Sequence, residues 1–399
     1  MTRTVLLGDI AKVVKGISYR SLDYSEKGEG LAFINLKNVG RGGGFRTDGT
    51  KYYKGEYKPD QTVLPGDILV ANTDLTQDRD IIGSPLFMPD LGENACFSLD
   101  LSKLEIREPD LIDKNYLFYL LKTPQARHYM ISHSNGSTVM HLSISSIPKM
   151  KLNLPDIAAQ KAVAGFLHAI DEKIELNRKI NKTLEQMGQA LFKHYFITNP
   201  KVENWEDINV KDILQIRNGF AFKSRDYIES GIPIVRTTNF TNDNTIVLDD
   251  VVYISENDSR KFSSFQLAEG DLLVVMVGAS LGKMVLVPSS ILPALQNQNM
   301  WCFRAHSAKY KNYISYKMRQ LILSNISSGS GSAREFFRKD YFYGLKLRMP
   351  DTETLEEFNS LIDPLLKMID SYFEEIQTLA TLRDTLLPRL ISGKAKYDQ

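Results

Sequence analysis

The chain has 399 residues, of which 43% are hydrophobic and 24% charged, and its formal net charge is +1. These values are typical of globular proteins and exclude collagen-like and intrinsically disordered chains. The length predicts two or three domains, at about 100 to 200 residues each. No apolar segment is long enough to predict a membrane span or a secretory signal, so we expect a cytoplasmic protein.

Taken in chain order, the apolar runs and their periodicity predict short strands, short helices and two long helices. Strands are expected at 68–70, 232–236 and 272–277, and helices at 115–126 and 311–323. After Pro155 and again after Pro350, a long helical pattern begins. Cys96 and Cys302 lie in apolar segments without a CxxC motif, which predicts two buried, reduced thiols.

The two halves of the chain repeat the same order of short motifs. Lys15-Gly16-Ile17 returns as Asn218-Gly219-Phe220, and Pro65-Gly66-Asp67-Ile68 returns as Glu269-Gly270-Asp271-Leu272. Single Gly-Asp turns are common, but their shared order predicts two similar domains. The repeat predicts four segments, namely a domain at 1–155, a helix at 156–198, a second domain at 199–350 and a second helix at 351–399.

The two long helices carry matching apolar stripes. From Leu167 to Tyr195 the stripe steps alternately by three and four residues, which is the spacing of a coiled-coil seam. Adding 195 to each position gives a second stripe from Ile362 to Leu390, so we expect the helices to pack on each other and to act as a spacer. The expected N-caps are Asp156 and Thr354, and Ser392-Gly393 is the expected stop. Pro364 predicts a kink or the true start of the second helix.

No catalytic motif in the sequence is complete. The segment 278–284 resembles a phosphate-binding loop, but its glycines are one residue too close and Met284 replaces the hydroxyl that binds magnesium. His128, His133 and His141 have no carboxylate or cysteine at a metal-binding spacing. We therefore predict no catalytic residue and no metal ligand in this chain.

Basic, amide and aromatic side chains recur on the predicted loops of both halves. Arg and Lys suit phosphates and guanine edges, whereas Asn and Gln pair with adenine. Any one of these residues fits a solvated surface equally well, but as two groups on two repeats they favour nucleic acid as the ligand. The candidate DNA-binding residues are Lys15, Tyr19, Arg20, Lys37, Asn38, Arg41, Arg46, Arg217, Lys223, Arg225, Arg236, Thr237, Asn239, Gln296, Asn297, Gln298, Arg334 and Arg338.

Together these motifs resemble the specificity subunit of type I restriction-modification systems. The resemblance rests on the repeated frame described above, on the segment Asn72-Thr73-Asp74-Leu75-Thr76 with Ile82-Gly83, and on the terminal segment 386–393. It implies an α+β fold with two similar target-recognition domains, each followed by a long helix. The two helices would pair as an antiparallel coiled coil in a pseudo-twofold internal repeat and set the gap between two parts of a DNA target.

The resemblance also implies the partners and cofactors. The chain itself would have no active site and would bind no cofactor. Adenine methylation would belong to two modification subunits that use S-adenosylmethionine, and ATP- and magnesium-dependent translocation and cleavage would belong to restriction subunits. Because the two halves differ in sequence, the expected target is an asymmetric, bipartite double-stranded sequence.

Three other interpretations remain open at this point. A methyltransferase or nuclease with a fused specificity region would need a methyl-donor loop or an acidic metal cluster, and neither is visible. A scaffold could join two protein-binding domains through its coiled coil and never touch DNA. The chain could also serve as the specificity module of a related restriction-methylation system.

Overall fold

The computed structural model describes residues 2–40, 42–76, 79–240, 244–248, 251–277, 280–327 and 338–393. The chain forms two compact units. The first unit comprises Met1–Lys173 and Leu379–Gln399, and the second comprises Ile174–Thr378. The division falls inside both long helices, so each unit contains one α+β domain together with parts of both helices.

Nine α-helices lie in the described part of the chain. They are α1 Leu7–Ile10, α2 Lys114–Lys122, α3 Pro124–Ser132, α4 Ile157–Phe196, α5 Val210–Ile213, α6 Glu256–Ser259, α7 Lys311–Ser327, α8 Lys339–Gly344 and α9 Thr352–Ile391. The helix expected at 115–126 is two helices, because Thr123 caps α3 and Pro124 has no N–H to continue α2. The helix expected at 311–323 is confirmed as α7.

The first unit contains fourteen short strands in the residues that are described. They are β1 Arg3–Leu6, β2 Ala11–Lys15, β3 Tyr24–Ser25, β4 Leu31–Ile34, β5 Lys51–Tyr53, β6 Thr62–Val63, β7 Ile68–Ala71, β8 Thr73–Asp74, β9 Pro85–Phe87, β10 Ala95–Phe97, β11 Leu101–Ile106, β12 Ser134–Asn135, β13 Met140–Leu142 and β14 Lys151–Leu154. They form sheets in the orders β1-β14, β2-β11-β7-β9, β3-β5-β4-β10-β6 and β12-β13-β8.

The second unit repeats most of this topology. Its described strands are β15 Glu206–Asn209, β16 Leu214–Asn218, β17 Ile232–Val235, β18 Val252–Ile254, β19 Leu272–Val275, β20 Met284–Leu286, β21 Leu295–Gln296, β22 Met300–Ala305 and β23 Lys346–Met349. The sheet orders β15-β23 and β16-β22-β19-β20 match β1-β14 and β2-β11-β7-β9 strand for strand, and β18-β17-β21 corresponds to the β5-β4-β10 part of the five-stranded sheet. Among the described strands of the second unit, none corresponds to the sheet β12-β13-β8. The predicted strands at 68–70, 232–236 and 272–277 are confirmed as β7, β17 and β19. The repeated motifs in the sequence therefore mark a repeated fold.

The two long helices begin in the same way. The Asp156 carboxylate accepts a hydrogen bond from the Ala159 N–H at 2.9 Å, and the Asp351 carboxylate accepts one from the Thr354 N–H at 2.8 Å. The prediction that Thr354 caps α9 is wrong, because Asp351 occupies that place and Thr354 is buried within the first turn. Pro364 does not mark the start of α9, which lies twelve residues earlier. The stop is confirmed, because α9 ends at Ile391 and Gly393 adopts φ of +68°.

Within each unit, α4 packs against α9. In the first unit Asp171 pairs with Arg383 at 2.7 Å. In the second unit the Asn177 amide donates to Glu375 at 2.9 Å, and the Asn181 amide donates to the Ile369 carbonyl at 3.3 Å. Partner numbers on α9 fall as those on α4 rise, so the helices pair antiparallel.

Each unit has a hydrophobic core that joins the domain to the helices. In the first unit, Tyr116 and Tyr119 of α2 are buried together with Leu167 of α4 and Leu387 of α9. In the second unit the core includes Phe192 and Phe196 of α4, Tyr313 of α7 and Phe358 of α9. Burial of this kind contributes roughly 1.5 to 3 kcal/mol for each large apolar side chain. The helices therefore form part of the domain cores.

Both cysteines are buried and unpaired, as predicted. Burial raises the pKa of the Cys96 thiol to about 12. Among the described residues, no helix is long and apolar enough to cross a membrane. In the same residues, no group of three or more His, Cys, Asp or Glu side chains is placed to hold a metal ion.

Candidate nucleic-acid interface

Three segments of the first unit meet at one place, which we call the first loop edge. They are residues 15–20, which begin with the last residue of β2, residues 72–76 and 79–83 after β7, and the turn 98–100 between β10 and β11. The Ile17 N–H donates to the Phe97 carbonyl at 2.8 Å, and the Leu99 N–H donates to the Ile17 carbonyl at 2.8 Å. The Asn72 N–H donates to the Asp100 carbonyl at 2.7 Å. Backbone hydrogen bonds thus hold the three segments together.

The second unit builds an equivalent second loop edge from residues 218–223, 276–277, 280–283 and the turn 297–299. The Phe220 N–H donates to the Gln296 carbonyl at 3.1 Å, and the Gln298 N–H donates to the Phe220 carbonyl at 2.9 Å. The Met276 N–H donates to the Asn299 carbonyl at 2.9 Å, as Asn72 does to Asp100 in the first unit. The same scaffold therefore presents different side chains in the two units.

A repeated glycine allows this close approach. A Cβ atom at Gly16 would lie 2.1 Å from the Ser98 carbonyl oxygen, and one at Gly219 would lie 1.7 Å from the Asn297 carbonyl oxygen. Neither distance is compatible with a side chain. The glycine shared by the Lys15-Gly16-Ile17 and Asn218-Gly219-Phe220 motifs is thus required by the contact between two loop segments.

A further loop of the first unit lies beside the first loop edge. The Gly42 N–H donates to the Asp80 carbonyl at 3.3 Å, and the Gly44 N–H donates to the Pro85 carbonyl at 3.0 Å. Lys37 and Arg46 flank this loop and are exposed. The backbone at Gly42 and Gly44 is thereby held against Asp80 and Pro85, which follow it by about 40 residues in the chain.

Several candidate residues have structural contacts inside the fold. The buried Asn38 amide donates to the Arg46 carbonyl and the Thr50 hydroxyl, both at 2.8 Å. The buried Asn239 accepts a hydrogen bond from the Arg236 N–H at 2.9 Å. Gln296 is fully buried and donates to the Met300 carbonyl at 3.0 Å. These amides support the loops from within the fold.

Tyr19 and Arg217 are also tied to the fold. The Tyr19 ring packs at 5.0 Å from Phe33, and its hydroxyl donates to the Asp100 carboxylate at 3.4 Å. Desolvation by burial, a side-chain hydrogen bond with Tyr24 and the negative charge of Asp100 all raise the pKa of Tyr19. The Arg217 guanidinium donates to the backbone carbonyls of Gln266, at 3.0 Å, and Ser264.

The remaining candidates differ in exposure. Arg236, Thr237 and Asn297 are half-buried. Arg41 and Arg334 lie outside the described residues. Arg338 directly precedes α8 in the second unit. Lys339, the first residue of α8, donates a hydrogen bond to the Ile216 carbonyl of β16 at 2.7 Å. The exposed candidates are Lys15, Arg20, Lys37, Arg46, Lys223, Arg225, Gln298 and Arg338.

Sequence reasoning missed the structural role of the buried Asp74, which joins Thr76 to Ile81 and Ile82. Its carboxylate accepts hydrogen bonds from the Thr76 N–H at 2.6 Å and from the Ile81 and Ile82 N–H groups at 2.7 Å. Burial alone would raise the pKa of the Asp74 carboxyl, but a hydrogen bond from the Thr76 hydroxyl at 2.7 Å and these backbone hydrogen bonds lower it below its ordinary value. Asp74 lies in the segment 72–76 on which the family resemblance partly rests, but only the fold brings the Ile81 and Ile82 N–H groups to its carboxylate.

Arg127 of α3 was also missed, and it holds the same loop from the other side. Its guanidinium donates to the backbone carbonyls of Asp80 at 3.0 Å, Arg79 at 3.3 Å, and Ile82. Nothing in the local sequence of α3 indicates this contact, because the loop lies some 45 residues earlier in the chain.

These two domains, each with a loop edge and a share of the paired helices, match one family of DNA-specificity proteins. The model of the type I restriction modification DNA specificity domain matches residues 3–186 and 202–380, once in each half. The chain therefore belongs to this family.

Relatives and a solved structure agree with this assignment. The chain is 25% identical over 311 residues to the type I restriction enzyme MjaIX specificity subunit of Methanocaldococcus jannaschii, covering 73% of this chain and 71% of that protein. It is 21% identical over 314 residues to the EcoBI specificity subunit of Escherichia coli, covering 72% and 62%. The crystal structure of a type I S subunit from M. genitalium aligns with a TM-score of 0.55 at 15% identity, covering 98% and 96%, and shows the same fold.

Proposed function

We propose that this chain is the DNA-recognition subunit of a type I restriction-modification complex and that each unit reads one part of a bipartite duplex target. One observation carries the proposal, namely that the loop-edge scaffold occurs twice, once within each match to the DNA specificity family. Two copies of one scaffold are suited to binding the same type of ligand at two places. Because their side chains differ, the two copies are suited to two different DNA sequences.

The candidate residues divide by what their side chains can reach. The exposed Lys15, Arg20, Lys37, Arg46, Lys223, Arg225 and Arg338 contact phosphates in this proposal, which fixes the register on the duplex without reading its sequence. Gln298 and Asn297, at the turn of the second loop edge, suit adenine because an amide can donate and accept together. Asn38, Asn239, Gln296, Tyr19 and Arg217 act as positioning residues.

In this proposal the chain contributes no catalytic group and binds no cofactor. Two modification subunits methylate adenine with S-adenosylmethionine, and restriction subunits supply the ATP- and magnesium-dependent translocation and cleavage. The paired helices set the gap between the two parts of the target. We place the complex in the cytoplasm, where the DNA to be read is accessible.

The proposal is tested by producing this chain together with its modification subunit and mapping adenine methylation across the host genome. The expected result is one asymmetric motif in two parts, separated by a fixed gap, and no methylation by the chain alone. A continuous or palindromic motif would contradict the proposal that the two units recognise two different parts of the target. Methylation by the isolated chain, abolished by a point substitution in it, would show instead that the chain is an enzyme.

A second measurement addresses the scaffold interpretation. The assembled complex is incubated with a pool of random duplexes, and bound duplexes are recovered and sequenced. Enrichment of the same bipartite motif is expected. A complex that assembles but enriches no sequence would support a scaffold that does not recognise DNA.

A further inference from the structure

The turn that closes each loop edge differs chemically between the two units. In the first unit the turn is Ser98-Leu99-Asp100, and in the second it is Asn297-Gln298-Asn299. The two turns occupy equivalent places, because the last residue of each accepts a backbone hydrogen bond from the segment that follows β7 or β19. One turn presents a carboxylate, which only accepts hydrogen bonds at neutral pH, and the other presents amides, which donate and accept.

The Asp100 carboxylate is held in place. One carboxylate oxygen accepts hydrogen bonds from the Tyr19 hydroxyl at 3.4 Å and from the Ser98 hydroxyl at 3.2 Å. The Tyr19 ring is itself fixed against Phe33 and Tyr24, with ring centroids 5.0 and 5.5 Å away. Asp100 is half-buried and its backbone carbonyl is bound by the Asn72 N–H. Because these contacts fix the Asp100 side chain, its carboxylate has a defined orientation at the first loop edge.

A carboxylate at a surface that binds DNA is repelled by the phosphates. That cost is offset where the carboxylate accepts a hydrogen bond from a base. In the major groove the only hydrogen-bond donors are the N4 amino group of cytosine and the N6 amino group of adenine. Guanine and thymine present acceptors there, which would face the carboxylate unfavourably.

Resting on the proposed function, we infer that Asp100 is a specificity-determining residue of the first unit that accepts a hydrogen bond from the exocyclic amino group of a cytosine or adenine. Tyr19 acts through Asp100 as a positioning residue. The second unit reads its half of the target with amides at the same place, which contributes to the asymmetry of the target.

The test uses the complete complex of this chain and its modification subunits, and duplexes that carry the mapped target. Cytosines are replaced one at a time by pyrimidin-2-one, which lacks the 4-amino group, and adenines by purine, which lacks the 6-amino group. Affinity is measured by competition, because the N6 group of the methylated adenine is itself a substrate and cannot be removed in a methylation assay.

For the unaltered complex, one analogue in the first unit's half of the target should weaken binding roughly tenfold or more, as expected for a lost hydrogen bond to a charged group. Asp100→Asn should weaken binding to the natural duplex similarly, and the same analogue should then cause little further loss. Tyr19→Phe should reduce discrimination at that position by a smaller factor.

Asp90→Asn is the matched control. Asp90 is an exposed aspartate at the turn before β10, whereas Asp100 follows β10 at its other end. It accepts a hydrogen bond from the Gly92 N–H at 2.8 Å, so its substitution also removes a charge from a turn. This variant should discriminate every analogue as the unaltered complex does.

The inference is overturned if Asp100→Asn discriminates all analogues as the unaltered complex does, or if it weakens every duplex and both halves of the target equally. The second outcome would place Asp100 in general stability or in assembly with another subunit. If the unaltered complex enriches no sequence at all, the proposed function fails instead, so the two failures are distinguishable.

Discussion

At the scale of single residues, the loop edges depend on a few buried polar groups and on two glycines. Asp74 binds three backbone N–H groups of one short loop, and Arg127 binds three of its carbonyls. A buried charge is tolerated only when such hydrogen bonds compensate for its lost hydration. The shape of this loop therefore depends on ionised Asp74.

Asp74→Asn should lower the free energy of unfolding by about 2 to 3 kcal/mol, since an amide cannot accept all the hydrogen bonds that the carboxylate accepts. The folded-state pKa of Asp74 lies below the ordinary value of 3.8. The stability contributed by the charge is therefore fully present above that value and is lost as the pH falls through the folded-state pKa. Urea unfolding between pH 3 and pH 8 should show a difference from the unaltered chain that is constant above about pH 5 and shrinks towards pH 3. A difference that grows on acidification would contradict this account.

Gly219→Ala should destabilise the second loop edge by about 1 to 3 kcal/mol, because its Cβ would overlap the Asn297 carbonyl oxygen and force a backbone shift. Gly344→Ala is the control in the same unit, since a Cβ there meets no atom within 4 Å. Thermal unfolding gives the stability of both variants. Methylation mapping should show relaxed specificity in one half of the target for Gly219→Ala alone. Equal effects of the two substitutions would argue against the close contact.

Gln298→Ala and Lys223→Ala should affect DNA binding in different ways. Loss of the exposed amide should relax one base position at a cost of about 1 to 3 kcal/mol and leave the salt dependence unchanged. Loss of the exposed lysine should weaken binding to all sequences and lower the salt slope by about one. Binding titrations at several salt concentrations distinguish the two. If neither variant differs from the unaltered complex, both residues leave the list of contacts.

At the scale of elements, the seam between α4 and α9 in the second unit combines apolar packing with buried asparagines. Asn177 and Asn181 of α4 are buried. The equivalent positions of α9 in the internal repeat are occupied by Tyr372 and Ile376. The Asn181 Oδ1 atom is buried and accepts no hydrogen bond. A polar residue at a seam position generally lowers stability but fixes the register of the pair. We expect the asparagines to select pairing of α4 with α9 over pairing of like helices.

Asn181→Leu should stabilise the second unit by about 1 to 2 kcal/mol, because it removes an unsatisfied buried oxygen and adds apolar contact. Its amide partner, the Ile369 carbonyl, lies inside α9 and retains the hydrogen bond of the helix backbone. Lys182→Leu, at the exposed neighbouring position, should leave the stability nearly unchanged. Differential scanning calorimetry of both variants provides the measurement. A lower melting temperature for Asn181→Leu would mean that the hydrogen bond from the Asn181 amide stabilises the unit by more than the unsatisfied oxygen destabilises it.

At the scale of the whole chain, the last helical turns of α9 belong to the unit that contains the N-terminus. Leu387 and Leu390 are buried in the core of the first unit, and the Tyr116 hydroxyl donates to the Ile391 carbonyl at 3.3 Å. Tyr119 donates to Asp171 at 2.6 Å, and Asp171 also pairs with Arg383. The first domain is therefore completed by residues from the far end of the sequence.

Truncation after Thr378 should consequently destabilise the first unit more than the second. The loss of Leu387 and Leu390 alone removes roughly 3 to 6 kcal/mol of apolar burial. Hydrogen exchange followed by mass spectrometry should show faster exchange in α2 and β11, with α7 and β22 retaining most of their protection. Faster exchange confined to the second unit would contradict this division of the chain. Leu382→Ala, at an exposed position of α9, serves as the full-length control.

Exchange of residues 1–155 for the corresponding segment of another family member should change one half of the recognised sequence only. Each loop edge is built from one half of the chain, so the second loop edge is unaltered by the exchange. The incoming segment must present a tyrosine to Asp171 and an apolar surface to Leu387 for the first unit to fold. Methylation mapping of the chimaera decides the matter, and a change in both halves of the motif would show that the units do not read independently.

The sequence alone was sufficient to predict the α+β class, the repeated fold, the two long helices and the family, because these depend on local periodicity and on the order of motifs along the chain. It also showed that Gly16 and Gly219 correspond, although not which carbonyl oxygens they approach. Residue types on loops predicted a nucleic-acid ligand. They could not separate exposed residues such as Gln298 from Asn38, Asn239 and Gln296, which look equally available in sequence.

The tertiary structure decided which side chains are buried by contacts with distant segments. It placed Arg127 on the loop that Asp74 organises, joined Tyr19 to Asp100 across about 80 residues, and completed the first unit with the end of α9. Each of these contacts depends on long-range packing, and no local pattern encodes it. Burial and hydrogen bonding fix which polar groups remain at the surface, and those groups are the ones able to meet a ligand.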